Sequence, residues 1–188
     1  YSEMLRDGIV ADDRRQEYLD TLHAESNRLT HLVENVLTYS RLESRPAALA
    51  AASVPLGELL GGCEQRLRDH CTQAGMELNV RLDEQAAAAT VRADAWATEL
   101  ILFNLVDNAC KYAASADDKR IHLEAEVRDG WARLRVCDHG PGIERRDRRK
   151  LFRAFARLHQ EMAGGKQGVG LGLTICRRLA RSMGGTLA

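Results

Sequence analysis

The segment Leu100–Tyr112, Leu-Ile-Leu-Phe-Asn-Leu-Val-Asp-Asn-Ala-Cys-Lys-Tyr, limits what this chain can become more than any other. It has no Gly or Pro and strong helix formers at most positions, so a helix is expected. Leu102, Val106, Ala109 and Ala113 recur at spacings of four, three and four and make one apolar face. Asn104, Asn108, Lys111 and Tyr112 fall at i, i+4, i+7 and i+8 and form a polar stripe on the same helix. Amides with such apolar flanks are costly near a core unless something bonds them. An amide oxygen is a hard, neutral ligand that suits Mg²⁺, and a lysine one turn on suits a phosphate. Taken alone, the stretch is equally compatible with a buried helix whose amides bond nearby backbone.

The remainder of the chain is long enough to enclose such a helix in one domain with an appendage. Lys+Arg and Asp+Glu balance at 27 each, so no global field points to nucleic acid or to an anionic membrane. The five cysteines are scattered and form no Cys-x-x-Cys pair, which points to a reducing compartment, the cytoplasm, with cysteine as small apolar filler. The histidines show no metal spacing, and Asp69-His70-Cys71 reads as a surface-helix triplet. No apolar run is long enough to span a bilayer. Tyr1 and Ala188 both fall inside a pattern, so the chain is expected to be a piece of a longer protein.

Read in order, Tyr1–Val10 is the end of a helix, and Asp12-Asp13 can cap the next one. That helix is expected over 14–43, with Leu22, Leu29 and Val36 repeating every seven residues and Leu19, Leu32, Val33 and Leu37 widening the seam. His23 and His31 sit on its flanks. One truncated partner helix cannot cover the seam, so a four-helix bundle made by two chains is expected over packing within one chain. Residues 44–55 are Ala-rich with two prolines and read as a linker. Beyond it, 56–74 reads as an amphipathic helix, 76–82 as a strand, 85–89 as a turn and 90–92 as a short strand. Asp94 caps the asparagine helix. Strands over 120–128 and 131–138 flank Asp129-Gly130, a strong hairpin signal. Residues 140–168 are Gly-flanked and Arg-rich, with a short helical piece near 150–157. A last helix covers 170–183, ended by Gly184-Gly185, and Thr186 begins another strand. Helices with mostly hairpin-paired strands make an α+β layer fold with helices on one face of a sheet.

Two glycine runs bear on chemistry. Asp138-His139-Gly140-Pro141-Gly142-Ile143 follows a strand directly, and a carboxylate beside glycines can take an amino group of a flat ligand that approaches the backbone. A plain Asp-Gly turn would look the same. Gly168-Val169-Gly170-Leu171-Gly172-Leu173 opens the last helix, where bare N–H groups and the positive dipole end favour an anion. It is neither a P-loop nor a Rossmann turn. Between the runs, Arg145, Arg146, Arg148, Arg149, Lys150, Arg153 and Arg157 form a mostly solvated face, with one or two able to reach a phosphate, and Phe152 and Phe155 read as anchors.

Together, in this order, these elements resemble the catalytic domain of sensor histidine kinases. Asn104 to Tyr112 is similar to the family's asparagine box, Asp138 to Gly142 to its first glycine box, Leu151 to Arg157 to its phenylalanine box and Gly168 to Leu173 to its second glycine box. Tyr39-Ser-Arg-Leu-Glu43 resembles the end of the second helix of the family's dimerisation and phosphotransfer domain. The resemblance implies a Bergerat-type two-layer α/β sandwich over 56–188, preceded by a bundle helix over 1–43 and the linker over 44–55.

It further implies ATP and Mg²⁺ as ligands. Asn108 would ligate the metal, Asn104 would lie near the phosphates, Lys111 would approach the terminal phosphates and Tyr112 would flank the nucleotide. Asp138 would read the adenine amino group, with Gly140, Gly142 and Ile143 leaving room for the base. Gly168, Val169, Gly170, Leu171, Gly172 and Leu173 would line the phosphates, with Arg157 as a phosphate contact, and 142–168 would be a mobile lid. The expected reaction is transfer of the γ-phosphoryl to a histidine, then to a response-regulator receiver domain. By family spacing that histidine falls about a dozen residues before Tyr1, and neither His23 nor His31 lies in an acceptor box. An ATPase of the same fold is the alternative enzyme, disfavoured because Asn104 stands where those members carry a proton-accepting Glu. A non-catalytic nucleotide-binding or dimerisation module is the alternative outside enzymes. The resemblance leaves a membrane anchor elsewhere in the full protein open.

Overall fold

The computed structural model describes residues 3–4, 11–44, 50–148, 150–156 and 170–188. Helix α1 runs Asp12–Ser44, β1 Ala52–Pro55, α2 Leu56–Gln73, β2 Glu77–Leu82, α3 Glu84–Ala88, β3 Thr90–Ala93, α4 Ala95–Ala113, β4 Arg120–Arg128, β5 Trp131–Cys137 and α5 Gly172–Ser182. Strands β2, β4 and β5 form one sheet in the order β2-β4-β5. The β2–β4 pair is parallel and the β4–β5 pair is an antiparallel hairpin turned by Asp129 and Gly130, both at positive φ. Strands β1 and β3 form a separate antiparallel ribbon, with Ala52 opposite Ala93 and Pro55 opposite Thr90.

Alternation along β2 and β4 aims Leu78, Ile121 and Leu123 at one face. There they meet Leu56, Leu60 and Leu67 of α2 and Leu102 and Val106 of α4, forming the main core. Each such side chain contributes about 1.5–3 kcal/mol on full burial. The opposite face carries Arg81, Glu124, Arg133 and Arg135 in ion pairs. Helices therefore cover one side of the sheet, the α+β layering expected. A second cluster joins Ala97 of α4 to Leu171, Ile175 and Leu179 at α5, and Tyr39 of α1 packs against it.

Asp94 begins α4 as its N-cap, its Oδ1 accepting from the Ala97 N–H at 2.9 Å. The other oxygen accepts from the Ala50 N–H at 2.9 Å, and the Asp94 N–H reaches the Met183 sulfur at 3.4 Å. One side chain thus ties the stretch that leads into β1 to the start of the asparagine helix.

Several expectations need correction. Ala52–Pro55, read as linker, is strand β1, because β3 lies far along the chain and no local pattern announces it. The Ala-rich turn at 85–89 is helix α3, capped by Asp83, whose side chain accepts from the Ala86 N–H. Lys150–Phe155 form turns closed by single bonds such as Arg153 N–H to Lys150 O, not a helical piece. The last helix starts at Gly172 rather than Gly170, and Thr186–Ala188 have no strand partner among the described residues. Residues 5–10 of the expected helix end and 45–49 of the linker lie outside the described residues, as do Arg149, Arg157, Gly168 and Val169.

Candidate functional site

Helix α4 forms as its sequence suggests. Leu102, Val106, Ala109 and Ala113 are buried on one face, and Asn104 is buried with them. The Asn104 amide is bonded as a buried amide must be: its Nδ2 donates to the Leu100 carbonyl at 2.8 Å. That bond fixes the amide so that Oδ1 faces Gly172 at the start of α5. A β-carbon at Gly172 would stand 2.7 Å from this oxygen, inside any real contact. The absent side chain is what lets the second glycine run reach the asparagine stripe. Asn108 and Tyr112 are half-buried further along α4, and Lys111 is exposed.

The first glycine run closes on the other end of α4. Asp138 follows β5 directly and is exposed, and its Oδ1 accepts from the Gly140 N–H at 2.8 Å. A β-carbon at Gly140 would lie 3.1 Å from the Tyr112 carbonyl oxygen and 2.8 Å from the Asp138 carboxylate, so only glycine fits easily here. Gly142 and Ile143 follow, both exposed. The strand end, the first glycine run, α4 and the start of α5 are thereby brought together. Leu171 and Leu173 differ in role: Leu171 is fully buried in the second core cluster, whereas Leu173 is half-buried.

The phenylalanine segment divides in two. Phe152 is anchored, since its carbonyl accepts from Arg177 Nη2 at 2.8 Å and from Thr174 Oγ1 at 3.3 Å, and the Arg177 guanidinium lies 5.0 Å from its ring centre. Phe155 is not a buried anchor: it is 64% exposed at φ 62°, held by its own N–H to the Gly170 carbonyl at 3.0 Å. Its ring stands 6.2 Å from that of Tyr39 on α1, and Arg178 stacks on the other aromatic neighbour, 4.8 Å from the Tyr39 ring centre. Arg145, Arg146, Arg148 and Arg153 are exposed, the solvated face expected.

Sequence reasoning missed how Lys111 is held. Its ammonium pairs with Asp107, one turn earlier, and the same carboxylate accepts from His70 Nε2 on α2 at 3.2 Å. The i, i+4 spacing of Asp107 and Lys111 was the available signal; the partner on α2 had none. His70 is therefore an interhelix link, its ring also 4.7 Å from that of Phe103, and not part of a surface triplet. The hydrogen bond to Asp107 raises its pKa against the opposing effect of burial. Burial alone would raise the Asp107 carboxyl, but His70 and Lys111 together bring it below the ordinary carboxylate range. Cys137 is exposed, in contrast to the filler role expected of all five cysteines.

This donor set suits a magnesium nucleotide. It offers amide oxygens, one exposed carboxylate, one ammonium and two close approaches that a β-carbon would fill. No group of three or more metal-binding side chains occurs among the described residues. Mg²⁺ needs none, being held commonly by one or two protein ligands with water and phosphate oxygens. A cavity of ≈ 490 Å³ lies elsewhere, beside β2, β4 and β5, and is lined by Arg81, Glu124, Glu126, Arg133 and Arg135, which pair with one another. No helix of the described residues is long and apolar enough to cross a membrane.

Comparison with known proteins gives two family matches. Residues 93–188 match the histidine kinase-, DNA gyrase B-, and HSP90-like ATPase family, and residues 1–45 match the His Kinase A (phospho-acceptor) domain. The chain is 27% identical over all its 188 residues to the sensor protein SrrB of Staphylococcus aureus strain N315, and covers 31% of that relative. Among solved structures, full-length ShkA in complex with AMPPNP matches 91% of this chain and 34% of that one, at 28% identity and a TM-score of 0.68. The histidine kinase AdeS of Acinetobacter baumannii matches 96% of this chain and 79% of that one, at 23% identity and a TM-score of 0.67, a likeness of fold. The chain spans about a third of the length of the curated relatives it matches.

Proposed function

The chain belongs to the sensor histidine kinases, and from that premise we propose that it binds Mg-ATP between α4, the strand end at Asp138 and the start of α5, and supports transfer of the γ-phosphoryl to a histidine. The observation that supports this reading is the approach of Asn104 Oδ1 to Gly172, which joins the asparagine helix to the second glycine run with no side chain between them.

The chain's own groups divide the work. Asp138 has its Oδ1 engaged by the Gly140 N–H, which orients the carboxylate to accept from the adenine amino group. Tyr112 would flank the nucleotide, and Gly140, Gly142 and Ile143 would leave room for the base. Asn108 offers its amide oxygen to the metal and Asn104 stands by the phosphates. When bound, Mg²⁺ neutralises charge on the phosphate oxygens. Lys111 serves the terminal phosphate, and Asp107 sets what that costs, because the ammonium must be shared with or released from its carboxylate. Arg157, Gly168 and Val169 belong to the same proposal through the family resemblance. With an amide at Asn104 and no carboxylate base in its place, phosphoryl transfer is favoured over hydrolysis. The acceptor is a bundle histidine that the resemblance places before Tyr1, and the phosphoryl passes on to a receiver-domain aspartate. We assign 1–43 to the helical part of a dimeric bundle, 44–51 to the connection and 52–188 to the catalytic unit, because β1 pairs with β3, with the stretch working in the cytoplasm.

Asn108→Ala tests the metal role. Titration with a fluorescent ATP analogue should show affinity falling at least tenfold, or ~1.4 kcal/mol, in excess Mg²⁺, and much less in EDTA. An equal loss in both conditions would show that Asn108 serves the nucleotide and not the metal. Unchanged affinity would remove it from the site.

A further inference from the structure

Two of the thiols face each other beneath the asparagine helix. Cys71 lies in the last turn of α2 and Cys110 in the last turn of α4. Both are buried, and the Cys110 S–H donates to the Cys71 sulfur across 3.9 Å. The helices are already held in register alongside by the His70–Asp107 bond one residue earlier on α2 and three earlier on α4. A disulfide needs the sulfurs to close from 3.9 Å to ~2.0 Å, which would draw the ends of α2 and α4 together.

We propose that Cys71 and Cys110 form a reversible disulfide under peroxide, and that this cross-link weakens nucleotide binding. The second half rests on the nucleotide reading above. Its basis is the helical screw. Cys110 is two residues from Asn108, so at 3.6 residues per turn the two side chains point to nearly opposite sides of α4. Lys111 follows Cys110 directly. Drawing Cys110 toward α2 therefore carries Asn108 and Lys111 away from the side on which the glycine runs stand.

The chemistry has a direction. Cys110 is the donor and Cys71 the acceptor of the S–H bond, so the Cys71 sulfur is the one that a neighbouring S–H stabilises when its own proton is lost. Cys71 is therefore the sulfur that reacts first. On losing its proton, the sulfur attacks one oxygen of hydrogen peroxide, the O–O bond breaks, and the departing hydroxide combines with the proton released when the thiol ionised to become water. Cys71 is then a sulfenic acid. The Cys110 sulfur attacks it, the S–O bond breaks, the S–S bond forms, and the second hydroxide leaves as water with the Cys110 proton. Two electrons pass from the sulfur pair to the two peroxide oxygens. Burial slows the first step and shields the product, so the cross-link accumulates under sustained peroxide.

The test uses the whole chain, with a Cys137→Ser background to suppress cross-linking between molecules. After hydrogen peroxide, peptide mapping without reductant should recover a Cys71–Cys110 linked peptide. Affinity for a fluorescent ATP analogue should fall at least about threefold, and dithiothreitol should reverse both. Whichever of Cys71→Ala and Cys110→Ala folds should lose the link and the affinity change together. If both thiols survive peroxide that fully oxidises Cys137 in the unmodified chain, the cross-link is overturned. If the link forms and affinity stays the same, its control of the site is overturned. If the reduced protein binds no nucleotide, the nucleotide reading fails, and the mapping still decides the cross-link.

Discussion

A side chain at Gly172 is opposed only by the Asn104 amide, whose oxygen would stand 2.7 Å from a β-carbon there. A methyl group there meets the tip of a side chain, which can swing, and not backbone, which cannot. Gly172→Ala should therefore leave the melting temperature nearly unchanged while turning Asn104 away from its bond to Leu100. Nucleotide affinity should fall about tenfold, ~1.4 kcal/mol, measured by calorimetric titration of variant and parent. A fall in melting temperature with affinity intact would mean that the contact serves packing alone. Gly140 differs in that its tight neighbours include the Tyr112 backbone carbonyl, which cannot step aside.

Between elements, α2 and α4 are held by apolar packing, by the Arg66–Glu99 ion pair and by His70 on Asp107. The His70 pin carries a pH signature. His70 has its pKa raised above 6.5, so its contribution is full below that value and lost as pH rises through the raised one. Asp107 has its pKa lowered below 3.8, so its contribution is present above that value and lost as pH falls through the lowered one. The pin is strongest between the two. His70→Gln should cost ~1–2 kcal/mol, about 2–8 °C of melting temperature, at pH 6, and clearly less at pH 9. An equal deficit at both would exclude the charge. Such pins were the part of the fold hidden from the sequence. The apolar face of α4, its Asp94 cap and the Asp129-Gly130 hairpin were legible because each is written within a few residues. Strand β1, the parallel β2–β4 pairing and His70's role were not, because each depends on a partner far along the chain. The site divides likewise. Asn104, Asp138 and the glycines were legible as short motifs, whereas the approaches of Gly172 to Asn104 and Gly140 to Tyr112 are products of the fold.

At the scale of the whole molecule, α1 leaves an apolar row uncovered among the described residues. Leu19, Leu29, Val33, Val36 and Leu37 are all exposed, and Tyr39 near the end of the helix packs on the catalytic unit. A second copy of the helix is the cover that a heptad seam favours. Sedimentation should show a dimer, and Leu29→Glu should shift it toward monomer with nucleotide affinity unchanged; a monomeric parent would end that assignment. The ribbon of β1 and β3 adds a mechanical consequence. The chain enters β1 and leaves β3 at the same end, where Ala52 faces Ala93, with the Ala50–Asp94 bond just beyond. Tension between the bundle helix and α4 thus loads the ribbon by peeling, one rung at a time, and not by shearing all rungs together. The first rung to give is the bond to Asp94, the cap of the asparagine helix, so the weakest joint under load is also the one that holds that helix's first turn.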